Sequence, residues 1–257
     1  MAGDSMNGAA GRAAAEPFFF RMALGMALLI VTAFSMQWLL GRSSFGARPM
    51  VHAHAIVYMG WTLLFTAQSW LGARGSVVWH RRLGWIAVAW TGLMIIMAFA
   101  ITVDVTRRGI APFFFQPQLF LIANPLTVAG FLALFAMAIA NRRRTDWHRR
   151  LHMGAMALLL GPAFGRLLPM PLLMPHAFEI GVAAGLVVPI IGAWRDHRQS
   201  GRIHPAWWRA FAAFAIVLVL IEAIVWSPLG DAIYAWVAAG TPGAHVDPLG
   251  FPPPPPG

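Results

Sequence analysis

Cysteine is absent from this chain of 257 residues. No disulfide, thiolate metal site or iron–sulfur cluster can therefore be built. Lysine is absent too, and all 19 basic residues are arginine. Charge is scarce, at 11% of residues, where an ordinary soluble domain carries about 25%. No Walker-type or dinucleotide glycine motif occurs, and no Gly-x-Ser-x-Gly or Ser-His-Asp arrangement. These absences argue against the common nucleotide-dependent and hydrolytic enzyme classes.

Long apolar runs fill the space instead. Hydrophobic residues make up 59% of the chain and mean hydropathy is +0.66. Charge is avoided because it is costly in hydrocarbon. The pattern predicts an all-α polytopic transmembrane helix bundle with about seven spans, each near the roughly 20 residues needed to cross a bilayer. The spans fall at about residues 22–40, 51–72, 84–103, 119–140, 151–168, 176–194 and 207–227. The fifth is interrupted by Gly161-Pro162, and the fourth contains Pro125. Residues 1–20 read as a disordered cytoplasmic N-terminus and 21–228 as the bundle. Residues 229–257 read as an extracytoplasmic interfacial segment followed by a proline-rich tail.

The net charge of +10 would suggest nucleic acid in a soluble protein. Here the arginines lie mostly in short loops between apolar runs, so topogenic charge explains them and no nucleic-acid partner is implied. Fourteen of them fall on the N-terminal side of a seven-span arrangement and five on the other. The positive-inside rule then puts the N-terminus in the cytoplasm and the C-terminus outside. Tryptophans near the predicted span ends, such as Trp38, Trp79, Trp147 and Trp226, match an interfacial belt.

One segment is repeated. Trp79-His80-Arg81-Arg82-Leu83 returns as Trp147-His148-Arg149-Arg150-Leu151, 68 residues later. Each copy lies between two apolar runs, so the repeat marks a parallel two-helix hairpin with the motif at its cytoplasmic hinge. An aromatic anchor followed by headgroup-binding cations suits that place.

Nine histidines remain to be explained. The topology sorts most of them into two layers: His52, His54 and His176 outside, His80, His148 and His152 inside. His197, His204 and His245 read as solvated. In span two His54, Tyr58, Trp61, Phe65, Gln68 and Gly72 recur every three or four residues and share a face. Lipid offers such groups no partner, so the face turns into the bundle. Helix–helix hydrogen bonding explains such a stripe, and so does a ligand pocket. In span five His148 and His152 share a face to which Arg166 returns, and Glu179 of span six is its candidate ion partner.

Two histidine layers on different helices are what a di-haem b-type cytochrome requires. The possible iron ligands are His54 with His176, and His80 with His152 or His148. Arg81 and Arg149 beside the inner pair would meet haem propionates. A non-haem iron site at His148 and His152 would need further histidine-rich boxes, which the chain lacks. Without any cofactor, the His54–Gln68 stripe with Arg166 and Glu179 would line a polar path in a transporter or proton-coupled permease. A non-catalytic subunit of a larger membrane complex, engaging a partner through the proline tail, is the third reading.

The block from His54 through Gln68 and Arg74 to His80-Arg81 and Gly84 resembles an uncharacterised bacterial family of multi-pass membrane proteins. A second block, His148-Arg149 through Arg166, is similar to that family's later segment. The likeness covers about residues 50–170 and implies a multi-pass protein of the bacterial inner membrane, with the lipid bilayer as its surroundings. More remotely, the histidine, glutamine and basic-loop pattern resembles cytochrome b561-type transmembrane electron carriers. That likeness implies haem b, a redox partner, and His54, His80, His152 and His176 as ligands.

Overall fold

The computed structural model describes the backbone of residues 4–43 and 45–254, and side chains from residue 17 onward in those ranges. All regular structure among the described residues is helical. The long helices are α1 (Asp4–Leu39), α2 (Pro49–Ala73), α3 (Val77–Arg108), α4 (Pro117–Ala140) and α9 (Pro205–Val225). The shorter ones are α5 (Thr145–Leu158), α6 (Gly161–Leu167), α7 (Ala177–Ala183), α8 (Val187–Ser200) and α10 (Pro228–Ala238). Proline opens α2, α4, α9 and α10 at the first position, where its missing N–H costs nothing. Gly109 and Gly201 end α3 and α8 in the left-handed region, at φ 65° and 69°.

Six stretches are long and apolar enough to cross a membrane: Pro17–Leu39, Pro49–Ala73, Val77–Arg108, Pro117–Ala140, Ala177–Ser200 and Pro205–Val225. The fifth of these joins α7 and α8 through a 3₁₀ turn at Ala184–Leu186. Large apolar side chains such as Ile56, Leu63, Ile216 and Val219 point outward without protein cover. Six such helices are compatible with an integral membrane protein.

Seven spans were expected, and the difference lies in one place. The segment at 151–168 is two helices, α5 and α6, neither long enough alone. They part at Leu159-Leu160, just before Gly161-Pro162, because proline lacks the N–H a continuing helix needs. Together they nevertheless run beside α1 in the same direction. Arg149 lies over the Phe19 ring and Arg166 over the Phe34 ring. Those phenylalanines stand about 22 Å apart along α1, from the helical rise per residue. α5 is well enclosed, with Arg150, Leu151 and Met153–Leu158 all buried. It packs on α4, α9, α8 and α1.

Other differences are local. α1 starts at Asp4, within the Ala/Gly-rich segment expected to lack structure; alanine favours helix. Both Trp-His-Arg-Arg-Leu segments lie in the opening turns of helices, α3 and α5, and not in the hinges before them. Arginine is a good helix former whose long side chain snorkels to the rim. At the opposite end α10 and a 3₁₀ turn at Pro242–His245 pack on α3. The Tyr234 hydroxyl donates to the Gly243 carbonyl at 3.0 Å. The backbone after that turn is tied to α4, with Gln118 N–H donating to Pro248 O at 2.8 Å. The proline run reaches beyond the described residues.

Candidate functional site

The stripe on α2 faces the bundle interior, and it stacks polar groups at three depths. At the arginine-rich end, α3 and α5 bring His80, His148 and His152 together. The His80 and His148 rings are 6.1 Å apart between centroids, and His148 and His152 are 4.5 Å apart. His80 Nδ1 bonds the Gln68 carbonyl at 3.2 Å, and His148 Nδ1 bonds the Ala138 carbonyl at 2.8 Å. A carbonyl only accepts, so both rings carry their proton on Nδ1 in the neutral form and turn a bare Nε2 elsewhere. Gly84 sits against the Gln68 side chain, where an added Cβ would lie 3.2 Å from Nε2.

Above this layer lies an aromatic one. Trp61 meets Phe131 and Phe135 edge to face, at 5.3 and 5.6 Å, and Phe135 meets His152 at 5.2 Å. Beyond it His54 stacks on Tyr58 at 4.5 Å, and the Tyr58 hydroxyl donates to Met94 O at 3.2 Å. Three buried polar atoms along this stripe have no hydrogen-bond partner: His54 Nδ1, Trp61 Nε1 and Gln68 Oε1. They recur every seven residues, so they share one line along α2. Orphaned buried groups are rare, and a line of them points to ligand or water.

The proposed outer haem pair does not come together. His176 is 75% exposed at its side chain and leans toward Glu179, 4.0 Å from Nδ1 to Oε2, whereas His54 is held inside between α2 and α3. His176 lies in the exposed turn before α7, so no helix carries it inward. The expected Arg166–Glu179 ion pair is not formed either. Arg166 spends its guanidinium on Phe34, 4.0 Å away, and on Pro162 O at 2.9 Å. Glu179 has His176 of its own turn near its carboxylate, and Glu222 of α9 accepts from Trp226 Nε1 at 2.9 Å. Arg81 is exposed, and Arg149 turns to α1 and not to the histidine layer. Among the described residues no group of three or more His, Asp or Glu stands in metal-binding geometry.

A second buried polar cluster was not read from the sequence. Arg150 and Asp196 form a two-pronged ion pair, Nε to Oδ2 and NH2 to Oδ1, both 2.7 Å. Trp207 Nε1 adds a third bond to Asp196 at 2.8 Å. Nearby, Asp146 accepts from His204 at 2.9 Å, and His204 Nδ1 accepts from Ala206 N–H to cap α9. Burial pushes the Asp146 carboxyl up, but the His204 hydrogen bond and charge, with the Trp147 backbone, hold it below its ordinary value. His204 therefore has a structural role that its loop position concealed. Asp196 was the one signal available: it is the single acidic residue among the arginines at 195–209, and it lies in the last turns of α8.

Comparison with protein-family models, with curated proteins and with solved structures gives no match for this chain.

Proposed function

We propose that this chain is a multi-pass protein of the bacterial inner membrane that moves protons through its histidine layer, as a proton-coupled permease does. The observation that carries this reading is the ring-to-ring array of His80, His148 and His152, with Nε2 left bare on the first two. An imidazole accepts a proton on one nitrogen and releases one from the other, so adjacent rings pass protons without moving far. The orphaned atoms on the α2 stripe extend this polar line toward His54. The Trp61–Phe131–Phe135 layer interrupts it. A coupled carrier needs such a closed layer in each resting state, and an open channel would lack one.

In this reading the chain crosses seven times, with α5 and α6 together forming the fifth crossing, the N-terminus inside and the C-terminus outside. The matching depths of Arg149 and Arg166 along α1 support it.

The test is charge movement. Reconstituted protein on a solid-supported membrane is expected to give a transient current after a pH jump. His152→Asn is expected to reduce it about a hundredfold, the low end of what a positioned acid–base group contributes. No current above that of empty liposomes, or an unchanged current in His152→Asn, sinks the idea.

A second reading is favoured by the same bare Nε2 atoms: one haem b, between His80 and His148 or His152. When bound, haem would supply one-electron transfer. His80 and His148 or His152 would hold it, and the carbonyls on Nδ1 of His80 and His148 would orient those two rings. The absorbance spectrum decides it. A Soret band lost in His80→Ala favours haem, and its absence after haem-supplemented expression rules haem out.

A further inference from the structure

We infer that Arg149 and Arg195 form a phosphate-binding site at the arginine-rich end, in the seam between α1, α5 and α8. Three guanidinia gather there around two phenylalanines. Arg149 lies 4.5 Å and Arg150 5.5 Å from the Phe19 ring centre. Arg195 lies 4.3 Å from that of Phe18 and 5.9 Å from that of Phe19.

Among the described residues one carboxylate stands with them, and it is already engaged. Both Asp196 oxygens hold Arg150, and one also holds Trp207. Arg195 reaches Asp196 only at 3.9 Å. The Asp146 carboxyl is turned to His204. Arg149 has no carboxylate partner among the described residues, and its Nε is buried without a hydrogen bond. Among the described residues, three cations stand against one anion, a local excess of two positive charges.

Charge withdrawn from water needs a counter-charge. The ring faces below Arg149 and Arg195 relieve only part of that cost. A guanidinium fork matches a phosphate with two parallel hydrogen bonds, and two forks match its remaining oxygens. Both side chains are partly open to the surroundings, so an anion can approach. The chemistry fits the headgroup of an anionic phospholipid or a free phosphate group equally. This inference is independent of the proton-relay reading, since none of the histidines of that array takes part.

The experiment uses the full chain in nanodiscs, either of phosphatidylcholine alone or with phosphatidylglycerol. In parallel, detergent-solubilised protein is titrated with inorganic phosphate at constant ionic strength. The readout is the thermal unfolding midpoint from tryptophan fluorescence. The midpoint is expected to rise with the anionic lipid, with phosphate, or with both. Half-saturation is expected to need about tenfold more ligand in Arg149→Gln and in Arg195→Gln, as loss of a charge-assisted hydrogen bond predicts. A response to phosphatidylglycerol alone assigns the site to lipid, and a response to inorganic phosphate assigns it to the phosphate group itself. Arg143→Gln, at an exposed arginine before α5, is expected to respond as the wild type does. Should the glutamine variants not fold, Arg149→Lys keeps the charge and removes the fork, and a several-fold loss of affinity is expected from it. A wild-type midpoint that neither probe raises overturns the proposal, and so does an unaltered response in all Arg149 and Arg195 variants.

Discussion

At the scale of single residues, the Arg150–Asp196 pair is the most consequential contact in the molecule. Both side chains are under 10% exposed, so removing one partner strands the other charge. Asp196→Ala is expected to cost about 3–5 kcal/mol, the usual penalty for breaking a buried pair. Replacing both residues by apolar ones of similar size is expected to cost much less. Denaturant unfolding of the two variants in detergent distinguishes these outcomes. Asp146 gives a pH prediction. Its folded pKa lies below the unfolded one, so its contribution is present above about pH 4 and disappears as pH falls further. His204→Ala is expected to flatten that acid-side slope. The effect will be small, because Asp146 is half exposed and surface pairs are worth little. The sequence made the histidines visible as unusual residues in an apolar chain. It gave no sign that His204 caps α9, since capping depends on where the preceding loop turns.

At the scale of elements, close packing decides what each helix tolerates. A Cβ on Gly192 of α8 would collide with the indole of Trp207, which is fully buried. Gly192→Ala is therefore expected to destabilise by about 1–3 kcal/mol, as overpacking usually does. Gly25 of α1 has nothing near its missing side chain. Gly25→Ala is expected to stabilise by about 0.5–1 kcal/mol, the helical cost of glycine. Unfolding midpoints of the two variants check both signs. The Gly161-Pro162 break was legible in the sequence because it is a backbone property of those two residues. The start of α5 was not. Thr145 and the arginines after it are too polar to enter an apolar window, yet they fold as helix because α4, α8 and α9 surround them.

At the scale of the whole molecule, the seven-crossing topology proposed above requires α5 and α6 to complete one crossing together. The cysteine-free sequence suits a direct test, since an introduced cysteine is the only thiol. With seven crossings, Arg143→Cys labels from the cytoplasmic side and Asp247→Cys from the outer side. A membrane-impermeant maleimide applied to intact cells is expected to reach the second and not the first. Labelling of both or neither from outside would put the two positions on one side and refute the seven-crossing topology.

Helix class and six of the seven apolar spans followed from the sequence alone, because each depends on local composition and period. The inward face of α2 also followed, since His54, Tyr58 and Gln68 recur at helical spacing whatever surrounds them. Pairing between helices did not follow. The proposed His54–His176 and Arg166–Glu179 contacts were matched by depth along the chain, and depth does not specify rotation about a helix axis or which neighbours a helix has. Only the tertiary structure turned Arg166 to Phe34, His204 to Asp146 and Arg150 to Asp196. Those choices arise where helices pack and side chains must find partners away from water. The same packing brings His80, His148 and His152 ring to ring.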